Sequence, residues 1–177
     1  KAAKADFIAF QDSDEEWLCD KLEKQMGAFS KANSEVGVVY TGFLRVENNL
    51  VTYYPPGDVN RLSGSILKAL LHGNFITTQA ALVRKDCFLK AGLFDEQLPR
   101  LQDWELFIRI AKYYKFVCIN EPLLLAFYSD DSITADSGKL AVSLNLILDK
   151  HHDLFSRHKK ILVMHHAFLL LGRYQLV

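Results

Sequence analysis

The sequence is short of cysteine, of net charge and of long apolar runs, and each shortage removes a class of function. Its three cysteines, Cys19, Cys87 and Cys118, lie far apart and in no CxxC spacing. They offer no disulfide framework and no zinc knuckle, and a reducing compartment is expected. The 21 lysines and arginines balance 21 aspartates and glutamates, so there is no global field to hold nucleic acid, and no nucleic-acid partner is expected. No segment supplies the ~20 consecutive apolar residues of a membrane span. The opening KAAKADFIAF lacks the long apolar region of a signal peptide. The apolar stretch Ile161–Leu171 is broken by His165 and His166 and reads as a packed or peripheral helix. Internal repeats and low-complexity linkers are absent as well.

What is present is a chain of 177 residues, half of them hydrophobic, enough for one globular domain with a real core and an appended helical piece. Phe7–Phe10 is a short aromatic run that reads as a buried strand, and it runs into the acidic cluster Asp12-Ser13-Asp14-Glu15-Glu16. From Glu15 to about Asn33, Trp17, Leu18, Leu22, Met26 and Phe29 recur at helical spacing. Val36–Tyr40 reads as a strand, and Phe43–Val46 with Leu50–Tyr54 as a hairpin turning at Asn48-Asn49 and ended by Pro55-Pro56-Gly57. Ser65–Leu71 reads as a short helix, Thr77–Val83 as a strand, and Lys85–Ala91 as a helix capped by Gly92. The pattern predicts an amphipathic helix over Arg100–Lys115, extended segments over Phe116–Ile119 and Leu123–Tyr128, and helices over Asp136–Arg157 and Lys159–Gln175.

Asp12-Ser13-Asp14 at the mouth of a strand puts two carboxylates on one tight turn, the hard oxygen donors that Mg²⁺ and Mn²⁺ favour alongside water and substrate phosphates. First-turn acids drawn to a helix dipole would give the same spacing, so the turn alone does not decide. The order of elements around it adds more. FIAFQDSDEEWLCDKLEKQ, then VGVVYTGF, then GLFDEQLPRLQDWELFIRIAKYYKFVCINEPLL resembles the inverting family 2 glycosyltransferases of the GT-A, nucleotide-diphospho-sugar transferase fold. The likeness runs from Asp6 to Thr134. It implies an α/β fold, a mixed sheet flanked by helices with a C-terminal helical tail, divided as residues 1–135 (the C-terminal part of a GT-A domain) and 136–177. It also implies that the family's nucleotide-binding βα units, which precede the acidic turn, are absent here, so that the chain is a truncated fragment nearly inactive by itself.

By the same resemblance, Asp12 and Asp14 hold a Mn²⁺ or Mg²⁺ ion and the diphosphate of a nucleotide-sugar donor, a UDP-sugar first among them. Asp103 is the general base that takes the acceptor hydroxyl's proton, with inversion at the anomeric carbon. Gln102 and Trp104 beside it are candidates for binding the glycan or lipid-linked acceptor. For Asp103 the plain alternative is a helix-cap acid, and for Trp104, in step with Phe107 and Ile108, a core aromatic. Asp95 of the GLFDE stretch is expected to cap the loop presenting Asp103. The cysteines are expected to be buried and inert, and the pairs His151-His152 and His165-His166 to lie on helix surfaces or interfaces. The chain departs from the family pattern at Phe127 and Ser129, where a cation and an imidazole are usual. That departure keeps open a rival reading as a non-catalytic interaction module. A cytoplasmic location at the inner membrane face, peripheral membrane contact and a homodimer complete the expectations, the dimer because the strand Phe7–Phe10 and Leu18 and Leu22 of the first helix would lack covering neighbours.

Overall fold

The computed structural model describes residues 3–47, 50–54, 62–128 and 137–171. Within them, strands β1 (Phe7–Ala9), β2 (Glu15–Trp17), β3 (Val36–Glu47), β4 (Leu50–Tyr54), β5 (Ala81–Arg84) and β6 (Lys115–Tyr128) form one sheet. Its backbone order is β1-β5-β3-β6-β2, with β4 paired to the far half of β3. The pairing is antiparallel except between β3 and β6, which run parallel. Helices α1 (Lys21–Lys31), α2 (Leu67–His72), α3 (Lys85–Ala91), α4 (Gln102–Ile110), α5 (Ser137–Lys150), α6 (His152–Ser156) and α7 (Lys159–Leu171) flank it. This is the mixed, helix-flanked α/β sheet that the resemblance implies.

Period-two alternation along the strands sorts side chains to the two faces. Val39 and Leu82 turn to the side covered by Phe29 of α1. Val38, Tyr40, Ala81 and Val83 turn to the other, where Leu70 and Leu71 of α2, Cys87 and Phe88 of α3 and Trp104, Phe107 and Ile108 of α4 build the main core. Leu140, Leu144, Ile147, Leu148, Phe155 and Ile161 belong to that same core. The helices after residue 136 are thus packed into the domain by the apolar surface they remove from water.

Several elements differ from the pattern-based reading. The helix expected from Glu15 starts at Lys21, because Glu15–Trp17 pairs with Leu124–Ala126 of β6 as an edge strand. The separate strands expected at Val36–Tyr40 and Phe43–Val46 are one strand, and so are Phe116–Ile119 and Leu123–Tyr128. A register irregularity where Gly42 meets Pro122 bridges what reads as a break; proline gives no ladder hydrogen bond and is accommodated at bulges. The strand expected from Thr77 begins as a 3₁₀ turn over Thr78–Ala80. The turns at Asn48-Asn49 and Pro55-Pro56-Gly57 lie outside the described residues.

Candidate functional site

The acidic turn is placed by the β1–β5 ladder. Phe7, Ile8 and Ala9 face Arg84, Val83 and Leu82, and continuing that antiparallel register beyond the end of β1 brings Asp12 opposite Gln79. The Gln79 amide Nε2 donates a hydrogen bond to Asp12 Oδ2. Asp12 and Asp14 are exposed. Glu15 beside them is half-buried, and its Oε2 is enclosed without a hydrogen-bond partner. Burial, with added repulsion from Asp12 and Asp14, pushes the Glu15 carboxyl up to about 7.

Beneath the turn, α1 turns Lys21 and Gln25 inward, one helical turn apart, and both are fully buried. Lys21 Nζ donates to Gln25 Oε1 at 3.0 Å and lies 4.0 Å from the centroid of the Trp17 ring. Gln25 Nε2 donates to the carbonyls of Val39 and Ala80, each at 2.9 Å. Desolvation brings the Lys21 ammonium down to about 8, against the attraction of Glu15. In the sequence Lys21 reads as one of the solvated lysines between apolar positions. Only the inward phase of a helix that starts late puts it under the acids.

Asp103 stands in the first turn of α4, two residues after Leu101, whose φ of 62° is left-handed. Its Oδ1 accepts from the Trp104 amide at 2.7 Å and its Oδ2 from Asn74 Nδ2 at 3.1 Å. Burial raises its carboxyl above the ordinary range, opposed by these donors and by Arg100. A carboxylate that desolvation makes hard to keep charged is chemically suited to accept a proton. Gln102 donates to the Leu98 carbonyl at 2.8 Å, which fastens the loop to the helix start. Trp104 is a correction: it is completely buried and its indole N–H donates to the Leu70 carbonyl at 2.6 Å. It closes the core behind Asp103 and has no open face for an acceptor sugar.

Two residues further on, fully buried Glu105 holds Arg109, Lys150 at 3.0 Å and His151 Nε2 at 3.0 Å. Burial alone would raise its carboxyl, but the hydrogen bonds from His151, Arg109 and Lys150 win and bring it to about 2. Asp95 accepts from the Gln97 amide at 3.0 Å and from Lys150 at 2.5 Å, so the GLFDE loop is tied both to itself and to α5. The histidine pairs, expected at surfaces or interfaces, divide between the two. His151 bridges Lys112 and Glu105, and buried His165 makes a 2.7 Å hydrogen bond to the Leu71 carbonyl, whereas His152 and His166 are exposed. Cys19 is exposed, contrary to expectation; Cys87 is buried and its thiol pushed up to about 12 by desolvation. Phe127 is exposed on β6, and Ser129 lies outside the described residues.

Among the described residues no three histidine, cysteine or acidic side chains close into a metal cage. Two exposed aspartates on one turn nonetheless fit an open oxygen site, completed by water and phosphate in the manner of Mg²⁺ or Mn²⁺. The glycosyltransferase-like family 2 profile matches residues 1–133. The chain belongs to that family. Among individual glycosyltransferases of the curated proteins, MJ1057 of Methanocaldococcus jannaschii, named an uncharacterized glycosyltransferase, is 29% identical over 125 residues, 69% of this chain and 42% of that protein. The amylovoran biosynthesis glycosyltransferase AmsB of Erwinia amylovora is 28% identical over 133 residues, 68% of this chain and 42% of AmsB. An uncharacterized glycosyltransferase of Rickettsia felis is 25% identical over 120 residues, 63% of this chain and 19% of that protein. This family 2 chain therefore spans less than half the length of the relatives it matches. No helix among its described residues is long and apolar enough to cross a membrane.

Proposed function

We propose that the protein carrying this chain is a metal-dependent, inverting glycosyltransferase that moves a sugar from a nucleotide-sugar donor, a UDP-sugar in the first instance, to a glycan or lipid-linked acceptor. Its family and the role in amylovoran biosynthesis for which AmsB is named favour an acceptor on a growing cell-envelope polysaccharide, met at the cytoplasmic face of the membrane by peripheral contact. The observation that carries the reading is the placement of Asp103: a partly buried carboxylate in a helix first turn, raised above the ordinary range by desolvation, with the Trp104 and Asn74 amides on its oxygens.

In this reading Asp103 accepts the proton of the attacking hydroxyl as the new glycosidic bond forms, and the donor's bond to its diphosphate breaks on the opposite face of the sugar. Asp12 and Asp14 hold the cation and, through it, the donor's diphosphate. Mn²⁺ or Mg²⁺, when bound, supplies positive charge for the departing nucleoside diphosphate. Glu15 and buried Lys21 support the turn from below.

The test is made in the protein at its natural length. Asp103→Asn is expected to lower kcat by ~10²-fold or more while donor binding survives, and Asp14→Asn to abolish Mn²⁺-dependent binding of nucleoside diphosphate in calorimetry. Wild-type turnover in the Asp103 variant, or unchanged nucleotide binding in the Asp14 variant, would sink the corresponding assignment.

A further inference from the structure

Two of the carboxylates singled out above, one from each end of the candidate site, are gripped by the same short piece of chain. Asn74, just after α2, donates from Nδ2 to Asp103 Oδ2 at 3.1 Å, and Gln79, just before β5, donates from Nε2 to Asp12 Oδ2. Residues five positions apart are at most about 18 Å apart at full stretch, and the 3₁₀ turn at Thr78–Ala80 shortens that span. The segment is itself pinned at several points. Asn74 Oδ1 accepts from the Ile76 amide at 3.3 Å, which leaves its NH₂ group facing Asp103. Ile76 is buried in the main core, Thr77 Oγ1 accepts from the Ala80 amide at 3.3 Å, and Gln25 reaches across from α1 to the Ala80 carbonyl at 2.9 Å.

We infer that Asn74–Gln79 is a bracket that sets the spacing and orientation of the two carboxylates, with Asn74 a positioning residue for Asp103 and Gln79 a positioning residue for Asp12. The inference rests on the functional reading given above and adds the residues through which the base and the metal acids are held in one frame. An amide is the suited group at both places. It presents a neutral N–H that fixes one oxygen of a carboxylate and leaves the other lone pairs for a substrate proton or a cation, where a lysine or arginine would neutralise the carboxylate and weaken it in either task.

The experiment uses the protein at its natural length, with side-chain carboxyl NMR for Asp103 and Mn²⁺ alone as the metal probe. Asn74→Ala is expected to move the Asp103 titration midpoint upward by about 0.5–1 unit, since a donor to the charged form is lost, and to leave Mn²⁺ affinity unchanged. Arg100, the other charge acting on Asp103, stays in place in this variant. Gln79→Ala is expected to weaken Mn²⁺ binding several-fold and leave the Asp103 midpoint unmoved, and Gln79→Asn, an amide too short to reach, should behave like the alanine variant. Asn74→Ser, which keeps a donor, should restore part of the Asp103 shift. An Asp103 midpoint unmoved in Asn74→Ala overturns the Asn74 half. Wild-type Mn²⁺ affinity in both Gln79 variants, while Asp12→Asn and Asp14→Asn abolish binding, overturns the Gln79 half with the metal reading intact. Mn²⁺ binding that is absent from the wild-type protein, or unaffected by Asp12→Asn and Asp14→Asn, overturns the metal reading itself and the Gln79 half with it.

Discussion

Glu105 shows how a single side chain can decide the behaviour of its surroundings. It is fully buried, yet its carboxyl stands at about 2, against an ordinary value of 4.5, because Arg109, Lys150 and His151 all donate to it. Lys112 Nζ lies 3.3 Å from His151 Nδ1; an ammonium can only donate, so Nδ1 accepts and Nε2 carries the proton given to Glu105. A folded-state value below the unfolded one means that the carboxylate stabilises the fold fully above about 4.5 and that this contribution disappears as pH falls toward 2. Thermal unfolding of the wild-type chain is therefore expected to lose midpoint across that window. Glu105→Gln should be less stable by roughly 1–3 kcal/mol at neutral pH, since it removes the charge from the buried acceptor of His151, Arg109 and Lys150. The difference between the two should shrink as pH approaches 2. A variant whose midpoint tracks the wild type at pH 7 would show that the cluster is solvated and of little weight.

At the scale of elements, β3 carries the sheet, and two glycines on different elements predict opposite signs. A Cβ on Gly37 of β3 would lie 2.5 Å from Cys87 Sγ and 2.7 Å from Tyr114 Cβ, wedged between the strand and the helices that cover it. Gly37→Ala is expected to cost about 1–3 kcal/mol by overpacking. Gly27 lies within α1 with nothing within 4 Å of the same added atom, so Gly27→Ala should stabilise by about 0.5–1 kcal/mol through helix propensity. Urea unfolding of the pair measures both, and equal shifts would refute the packing argument. The same elements show what the sequence can and cannot reveal. The α/β class, the strand leading into the acidic turn and the α3 helix with its glycine cap are legible because periodicity and turn residues are local signals. The β2 strand is not, since Glu-Glu-Trp continues a helical pattern and only pairing with β6 makes it extended. Asn74, Gln79 and Lys21 escape for a related reason: nothing nearby in sequence marks them, and their roles arise from a ladder register, a loop and a helix phase. Trp104 reads two ways in sequence, and the carbonyl of Leu70 settles which.

At the scale of the whole molecule, the core does not stop where the family match does. The match ends at residue 133, while Leu144, Ile147, Phe155 and Ile161 share one core with Trp104 and Phe107, and Lys150 and His151 ground Glu105 on α4. A chain cut after residue 135 is expected to lose cooperative unfolding, because α4 would be left with an apolar face and a buried charge both uncovered. The opposite face of the molecule carries the last prediction. Among the described residues β1 pairs with β5 alone at one edge of the sheet, and Leu22 and Met26 of α1, four residues apart and so on one stripe, are each 42% exposed. An open edge strand and an apolar stripe on a helix are each surfaces that pair with another chain, and twofold pairing of like surfaces is the commonest closed arrangement. The 177-residue chain is expected to sediment as a dimer at micromolar concentration. Because the stripe is solvent-facing and contributes little to the fold, Leu22→Glu with Met26→Glu should return the chain to a monomer with its thermal midpoint within a few degrees of the wild type. A wild-type chain that sediments at 20.2 kDa would show that these side chains are covered by nothing in solution. A variant that stays dimeric would move the contact away from α1 to another surface, such as the exposed Val163, Leu170 and Leu171 of α7.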